Sequence, residues 1–256
     1  MKYDFSVCLI TKDENRYLPE WLAWHLGLGA DHIYIYDNGS ALPVAGSIPA
    51  GYRERVTVID YPSHSDLTQL EAYDHWIANY KAETKWVAFL DTDEFLRVVD
   101  GTDIREFMRD YEDIDTLCVR FLTYNAAGQL RREERPVRER FTQTVELPGP
   151  TTPHKSICKA ERLEKMGIRT PITLSNWLKI VDENKGYVDF SDIGKLPHEK
   201  IVIDHYYTRS YEEWVEKMER GTPVKAAQKN PGWFLQLNPE MAAAVAEYDA
   251  EATSNA

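Results

Sequence analysis

The chain has 256 residues, 43% of them hydrophobic and 28% charged, which places it among globular proteins and excludes a disordered or collagen-like chain. Its 30 Lys and Arg stand against 42 Asp and Glu, a net charge of −12, so a broad basic face for nucleic acid is excluded while a local cationic pocket for phosphate is not. No run approaches the ~18–20 apolar residues that span a bilayer, so no integral membrane segment is expected.

The opening Met1-Lys2-Tyr3-Asp4-Phe5 lacks a basic leader followed by an apolar stretch. A cytoplasmic protein, at most peripheral to a membrane, is the expectation. Cys8, Cys118 and Cys158 are widely spaced with no C-x-x-C pair, which favours buried free thiols over a disulfide framework or a cysteine zinc site.

In chain order, Phe5 to Ile10 reads as a short buried strand that ends in the polar cluster Thr11-Lys-Asp-Glu-Asn15. Leu18, Trp21, Leu22 and Leu26 then recur at helical spacing, closed by Gly27 and Gly29. His32 to Tyr36 is a β-rich run stopped by Asp37-Asn-Gly-Ser40, and Val56 to Ile59 is a third strand. Leu67 to Lys81 reads as a helix, Trp86 to Leu90 as a strand running into Asp91-Thr-Asp93-Glu94, Ile104 to Asp110 as a helix and Thr116 to Leu122 as a strand. The mixed-charge run Arg131 to Arg140 reads as a solvated face or loop. Prolines at 148, 150 and 153 break the chain before His154-Lys155. Ile201 to Ile203 is a last strand before Asp204-His205. Ser210-x-x-Glu213 is a capping box opening a helix to about Arg220, with Gly221 beyond it. An Ala- and Glu-rich tail follows Pro239.

Strand–helix alternation predicts an α/β fold, a mostly parallel sheet with helices on both faces. Ligands of such sheets bind outside the carboxyl ends of the strands. The clusters Thr11–Glu14, Asp37–Ser40 and Asp91–Glu94 each follow a strand, so they converge on one crevice.

Asp91 and Asp93 are hard oxygen donors suited to Mg²⁺ or Mn²⁺, and nothing structural asks for three acids where a buried strand ends. His205 follows another short strand, and imidazole as a further ligand favours Mn²⁺ over Mg²⁺. Lys155 is suited to neutralising a phosphate. Other chemistries lack their motifs. No G-x-S-x-G, G-x-G-x-x-G or G-x-x-x-x-G-K-S/T is present, and the D-x-D lies on the wrong strand and lacks the Thr or Val of a D-x-D-x-T/V phosphatase.

Three blocks together resemble a known family. Thr11-Lys-Asp-Glu-Asn with Tyr17-Leu-Pro-Glu-Trp-Leu-Ala-Trp-His25 and Leu28 to Ser40 look like the opening of GT-A glycosyltransferases of the family 2-like and family 92 branch. Trp86 to Leu96 matches its D-x-D-E-F block. His205-Tyr-Tyr-Thr-Arg-Ser-Tyr-Glu-Glu-Trp-Val-Glu-Lys217, with Arg220-Gly221, is similar to its C-terminal H-Y-x-x-[KR]-S-x-E block.

The resemblance implies a GT-A-type Rossmann-like domain over residues 1–221 with a C-terminal helical extension and frayed tail over 222–256. It also implies a nucleotide-sugar donor, a UDP-sugar, a divalent cation, and a glycan or lipid-linked acceptor. By match of motif, Asp91, Asp93 and His205 would be the metal ligands. Thr11, Asp13, Glu14, Asp37, Gln69, Asp91 and Lys155 would surround the donor. An inverting enzyme also needs a carboxylate base; Asp182, Glu183, Asp189, Asp192 and Glu199 all lie where an acceptor wall would form, and the sequence does not choose among them. The rival readings are a non-catalytic nucleotide-sugar or carbohydrate-binding protein on the same fold, and a sugar nucleotidyltransferase, which would carry a Gly-rich loop after its first strand.

Overall fold

The computed structural model describes residues 1–147, 153–172, 178–189, 195–221 and 232–254. The first half follows the expected alternation: β1 (Tyr3–Thr11), α1 (Leu18–Leu28), β2 (His32–Asp37), β3 (Val56–Asp60), α2 (Thr68–Tyr80) and β4 (Thr84–Phe89). Then come β5 (Glu94–Val98), α3 (Ile104–Phe107), β6 (Thr116–Tyr124), α4 (Val137–Arg140), β7 (Thr144–Val145) and β8 (His154–Lys159). A hairpin of β9 (Lys165–Met166) and β10 (Pro171–Ile172) precedes β11 (Ile180–Val181), β12 (Ile201–His205), α5 (Tyr211–Arg220), α6 (Trp233–Leu237) and α7 (Ala242–Ser254).

The main sheet runs β3-β2-β1-β4-β8-β6-β12-β5, with β7 and β11 also paired to β6. Its first four strands are parallel; β8 enters antiparallel between β4 and β6, and β5 closes the edge antiparallel to β12. The sheet is therefore parallel on its N-terminal side and mixed beyond β4. β5 and β8 are the strands that the hydrophobic pattern hides. β8 reads His-Lys-Ser-Ile-Cys-Lys yet is buried from His154 to Cys158, because it lies in the middle of the sheet.

Side chains alternate along β1 and feed two cores. Phe5, Val7 and Leu9 pack with Leu18, Trp21, Leu22 and Leu26 of α1, while Cys8 and Ile10 pack with Ala72, Tyr73, Trp76 and Ile77 of α2. The sheet is thus covered on both faces, as the alternation predicts. α1 ends at Gly29, which holds a left-handed φ of 114° and donates its N–H to the His25 carbonyl. The three cysteines are free and buried.

The tail is folded onto this body. Phe234 of α6 and Val245 of α7 form a cluster with Met241, Trp214 of α5 and Ala126 after β6. The buried Asn238 accepts the Ala126 N–H at 2.6 Å and donates to the Phe234 carbonyl at 2.8 Å. Among the described residues, no helix is long and apolar enough to cross a membrane.

Candidate active site

A cleft of about 500 Å³ opens at the carboxyl ends of the strands. The loops after β1 and β4, the end of β12, the start of α2, β8 and the last turn of α5 supply its walls. The expected convergence of the first and third polar clusters is therefore present, and part of the second joins them through Asn38.

Strand register brings the distant acid and imidazole together. β12 pairs antiparallel with β5 so that His205 lies opposite Glu94, and the Tyr206 N–H extends the ladder to the Asp93 carbonyl at 2.9 Å. Arg97 locks that register with a two-pronged contact to the buried Asp204, both bonds 2.8 Å, and the Tyr124 hydroxyl donates to the same carboxylate at 3.2 Å. α1 holds the acidic loop from the other side. The Trp21 indole N–H donates to the carbonyls of Asp91 (3.1 Å) and Glu94 (2.8 Å). His25 Nε2 accepts the Leu96 N–H at 3.2 Å, and its Nδ1 meets the Trp21 carbonyl at 2.9 Å. Those contacts require a neutral ring with the proton on Nδ1, and burial pushes its pKa down to about 3.

Asp93, Glu94 and His205 each offer a ligand atom, and these atoms lie within 4.8 Å of one another. Two carboxylates and one imidazole fit a divalent cation of the Mn²⁺ type, provided the ring is neutral. His205 meets that condition: burial, helped by Lys217 and Lys155 against the pull of Asp93 and Asp91, brings its pKa to about 4. Burial acts to raise Asp93, but Lys217, His205 and Arg209 outweigh it and hold the carboxyl well below the usual range. Burial and the neighbouring Asp91 and Asp93 push the Glu94 carboxyl up, against the attraction of Lys155. Lys155 is itself buried and ion-paired, 3.1 Å from Asp91 and 3.3 Å from Glu94. Desolvation opposes its charge, yet the two carboxylates raise its pKa and keep it protonated.

The remaining expected residues divide into two groups. Thr11, Glu14, Gln69, Asp91 and Lys155 line the cleft. Thr11 Oγ1 is buried without a hydrogen-bond partner among the described residues. Gln69 donates to Asp91 Oδ1 at 3.2 Å and to the Tyr73 hydroxyl at 2.8 Å. Asp91 thus faces Gln69 and Lys155, and it stands outside the Asp93–Glu94–His205 group, whereas the motif match placed it among the metal ligands. Glu14 pairs with Arg209 at 3.0 Å and Arg220 at 2.5 Å. Desolvation acts to raise its pKa, but the two guanidiniums lower it.

Asp13 and Asp37 brace the adjoining loops and do not line the cleft. Asp37 accepts the N–H groups of Ser40 and Val44, both at 3.0 Å. Asp13, at a left-handed φ of 54°, accepts from the Ala41 N–H at 2.7 Å and donates its own N–H to Ser40 Oγ at 2.9 Å. Of the carboxylates considered as a base, the four described ones, Asp182, Glu183, Asp189 and Glu199, do not line the cleft. Glu183 is buried and accepts the N–H groups of Glu199, Lys200 and Ile201, and Asp182 caps the turn to Gly186. Asp192 lies outside the described residues.

A family model described as glycosyltransferase family 92 matches residues 3–233. The chain belongs to glycosyltransferase family 92. A family 92 protein of Ricinus communis is 22% identical to this family 92 chain over 224 residues, which cover 85% of the chain and 38% of the relative. One of Oryza sativa subsp. japonica is 22% identical over 223 residues, 84% of the chain and 35% of the relative. One of Arabidopsis thaliana is 30% identical over 133 residues, 52% of the chain and 23% of the relative. The chain therefore spans well under half the length of these relatives. Among solved structures, residues 1–349 of S. aureus TarS superpose with a TM-score of 0.45 at 16% identity, covering 91% of this chain and 69% of that one. HddC from Yersinia pseudotuberculosis gives 0.38 at 11% identity, covering 68% and 85%.

Cleft residues that sequence reasoning left without a role lie chiefly on α5. Lys217 contacts Asp93 Oδ2 through Nζ, which also donates to the Tyr207 carbonyl at 2.7 Å. Arg220, one helical turn on, reaches Glu14. The signal was present: both belong to the C-terminal block of the family 92 resemblance and fall on one face of a capped helix. Arg169 from the β9–β10 hairpin and Lys12 from the loop after β1 complete the cationic lining.

Proposed function

We propose that this family 92 chain transfers a glycosyl group from a nucleotide-sugar, a UDP-sugar, to a hydroxyl of a glycan or lipid-linked acceptor. The observation that carries the reading is the charge pattern of the cleft. An acidic protein of net charge −12 gathers Lys12, Lys155, Arg169, Lys217 and Arg220 around a compact carboxylate–imidazole cluster at the strand ends. A diphosphate and its counter-cation together match such a lining, which neither alone explains.

In this reading Asp93 and His205, with Glu94 beside them, would hold the cation, and Mn²⁺ suits their mixed oxygen and nitrogen donors better than Mg²⁺. When bound, the cation supplies Lewis-acid stabilisation of the charge on the departing diphosphate. Lys155 is a fixed positive charge: buried, and held between Asp91 and Glu94, it needs no reorganisation to face a phosphate oxygen. Gln69 orients Asp91, and through it Lys155. Thr11 Oγ1 is an available donor or acceptor on the donor side. Asp13 and Asp37 act at one remove, by shaping the loops after β1 and β2.

Calorimetric titration of UDP into the protein, with and without Mn²⁺, tests the reading. Binding is expected only with the metal, and Asp93→Ala is expected to lose it while keeping its cooperative unfolding. Full Mn²⁺-dependent binding by Asp93→Ala would remove Asp93 from the site. Absence of UDP binding by the parent protein with Mn²⁺ would remove the UDP donor.

A further inference from the structure

Lys217 occupies the carboxylate that the cation needs. Its ammonium contacts Asp93 Oδ2, while the other oxygen of the same carboxylate lies 3.8 Å from His205 Nε2. Asp93 is nearly buried, and Lys217 is also largely shielded. In such a setting an unpaired carboxylate is costly, so the lysine stabilises the site when no metal is present. Its surroundings also offer other positions for the ammonium. The Tyr207 ring centroid is 4.4 Å from Nζ, the Tyr207 carbonyl accepts from it, and Tyr207 lines the same cleft. The head group is at the end of a flexible four-carbon stem, a compact charge that can change partner without any backbone movement.

We infer that Lys217 is an exchangeable counter-ion. It neutralises Asp93 in the metal-free protein, competes with the divalent cation for that carboxylate, and when displaced turns its charge to the diphosphate of the incoming donor. The inference rests on the metal and nucleotide reading proposed above, and it adds a direction to it. Metal alone binds against the lysine, whereas metal and nucleotide together bind with its help. Free metal is thereby disfavoured and metal–nucleotide favoured at a single residue. Lys155 does not share this behaviour, because its two carboxylate partners and full burial hold it in place.

The test uses Lys217→Met and the free Mn²⁺ signal in electron paramagnetic resonance, with no nucleotide present. Removing the competing charge is expected to tighten Mn²⁺ roughly tenfold, the change that corresponds to about 1.4 kcal/mol. Calorimetry with saturating Mn²⁺ is expected to show UDP binding weakened by a similar factor. If Lys217 serves only to anchor α5, its removal leaves Mn²⁺ affinity unchanged or weakens it, and either result overturns the inference.

Lys217→Met removes the ammonium from the nearly buried Asp93, so stability is read as well: Mn²⁺ is expected to raise its melting temperature more than that of the parent protein. An equal or smaller rise counts against the exchange. Lys217→Arg, which keeps the charge, is expected to stay near the parent in Mn²⁺ affinity. Failure of every variant and the parent to bind Mn²⁺ would instead remove the metal reading itself, and Asp93→Asn, expected to lose Mn²⁺, separates that result from a failure of the exchange alone.

Discussion

Glu213 shows how much can depend on one buried carboxylate. It is the third residue of α5, and the capping box makes it accept the Ser210 N–H at 3.2 Å while Ser210 Oγ accepts its own N–H at 3.3 Å. The same carboxylate takes two bonds from Arg140, at 2.9 and 2.8 Å, and the Tyr17 hydroxyl at 2.6 Å. Burial acts to raise its pKa, but these donors win and bring it to about 2. A folded-state pKa below the unfolded one adds stability that is fully present above the ordinary value of 4.5 and lost as pH falls towards 2. Glu213→Gln is therefore expected to cost about 3 kcal/mol at pH 7. Urea unfolding at a series of pH values should show the gap to the parent closing below pH 4.5. A gap constant with pH would mean that the ionised form is not what the fold uses.

At the scale of elements, the site depends on a strand pairing. His205 meets Glu94 only because β12 and β5 pair in one register, and Arg97 with Asp204 fixes that register. Arg97→Met leaves Asp204, which is 3% exposed at its side chain, with the Tyr124 hydroxyl and without the guanidinium that pairs with it. Because Arg97 is 27% exposed, the expected cost is about 2 kcal/mol, below the 3–5 of a fully buried pair. The double variant Arg97→Met, Asp204→Asn should recover most of it, since the neutral amide no longer needs the guanidinium. Denaturation of the three variants as a cycle measures the coupling, and independent, additive costs would show that the pair does not hold the register.

This pairing also marks the limit of what the sequence makes legible. Local signals sufficed where chemistry is local: the parallel strands β1 to β4 by their apolar runs, α1 by the spacing of Leu18 to Leu26, α5 by its capping box. The strand-end position of Asp91 to Glu94 and its place in a cleft followed from the same reasoning. Lys155 was singled out, but the strand that buries it was not, because a central strand with polar residues at both ends has no hydrophobic signature. The partition of the acids was equally hidden. Asp37 ends its strand as the pattern requires, yet both its oxygens are spent on the backbone of its own loop, and only tertiary contacts decide which carboxylate braces and which faces the cleft.

At the scale of the molecule, the tail is part of what positions the cleft. α5 presents Lys217 and Arg220 to the site and, one turn before Lys217, packs Trp214 against Phe234. The Tyr211 hydroxyl at the start of α5 also donates to Asp249 of α7, at 3.0 and 2.9 Å to its two oxygens. The placement of the two site cations therefore depends on residues that touch no part of the cleft. Phe234 is 1% exposed, and Phe234→Ala should cost about 3 kcal/mol, a fall in melting temperature of roughly 10 °C for a chain of this size. Its second effect is the informative one. If α6 and α7 hold α5 in place, Phe234→Ala should also weaken UDP binding in the presence of Mn²⁺ at a temperature where the variant is still folded. Unchanged affinity alongside the lowered melting temperature would mean that α5 is positioned by its contacts with the body, Glu213 with Arg140 among them, and that the tail contributes stability without shaping the site.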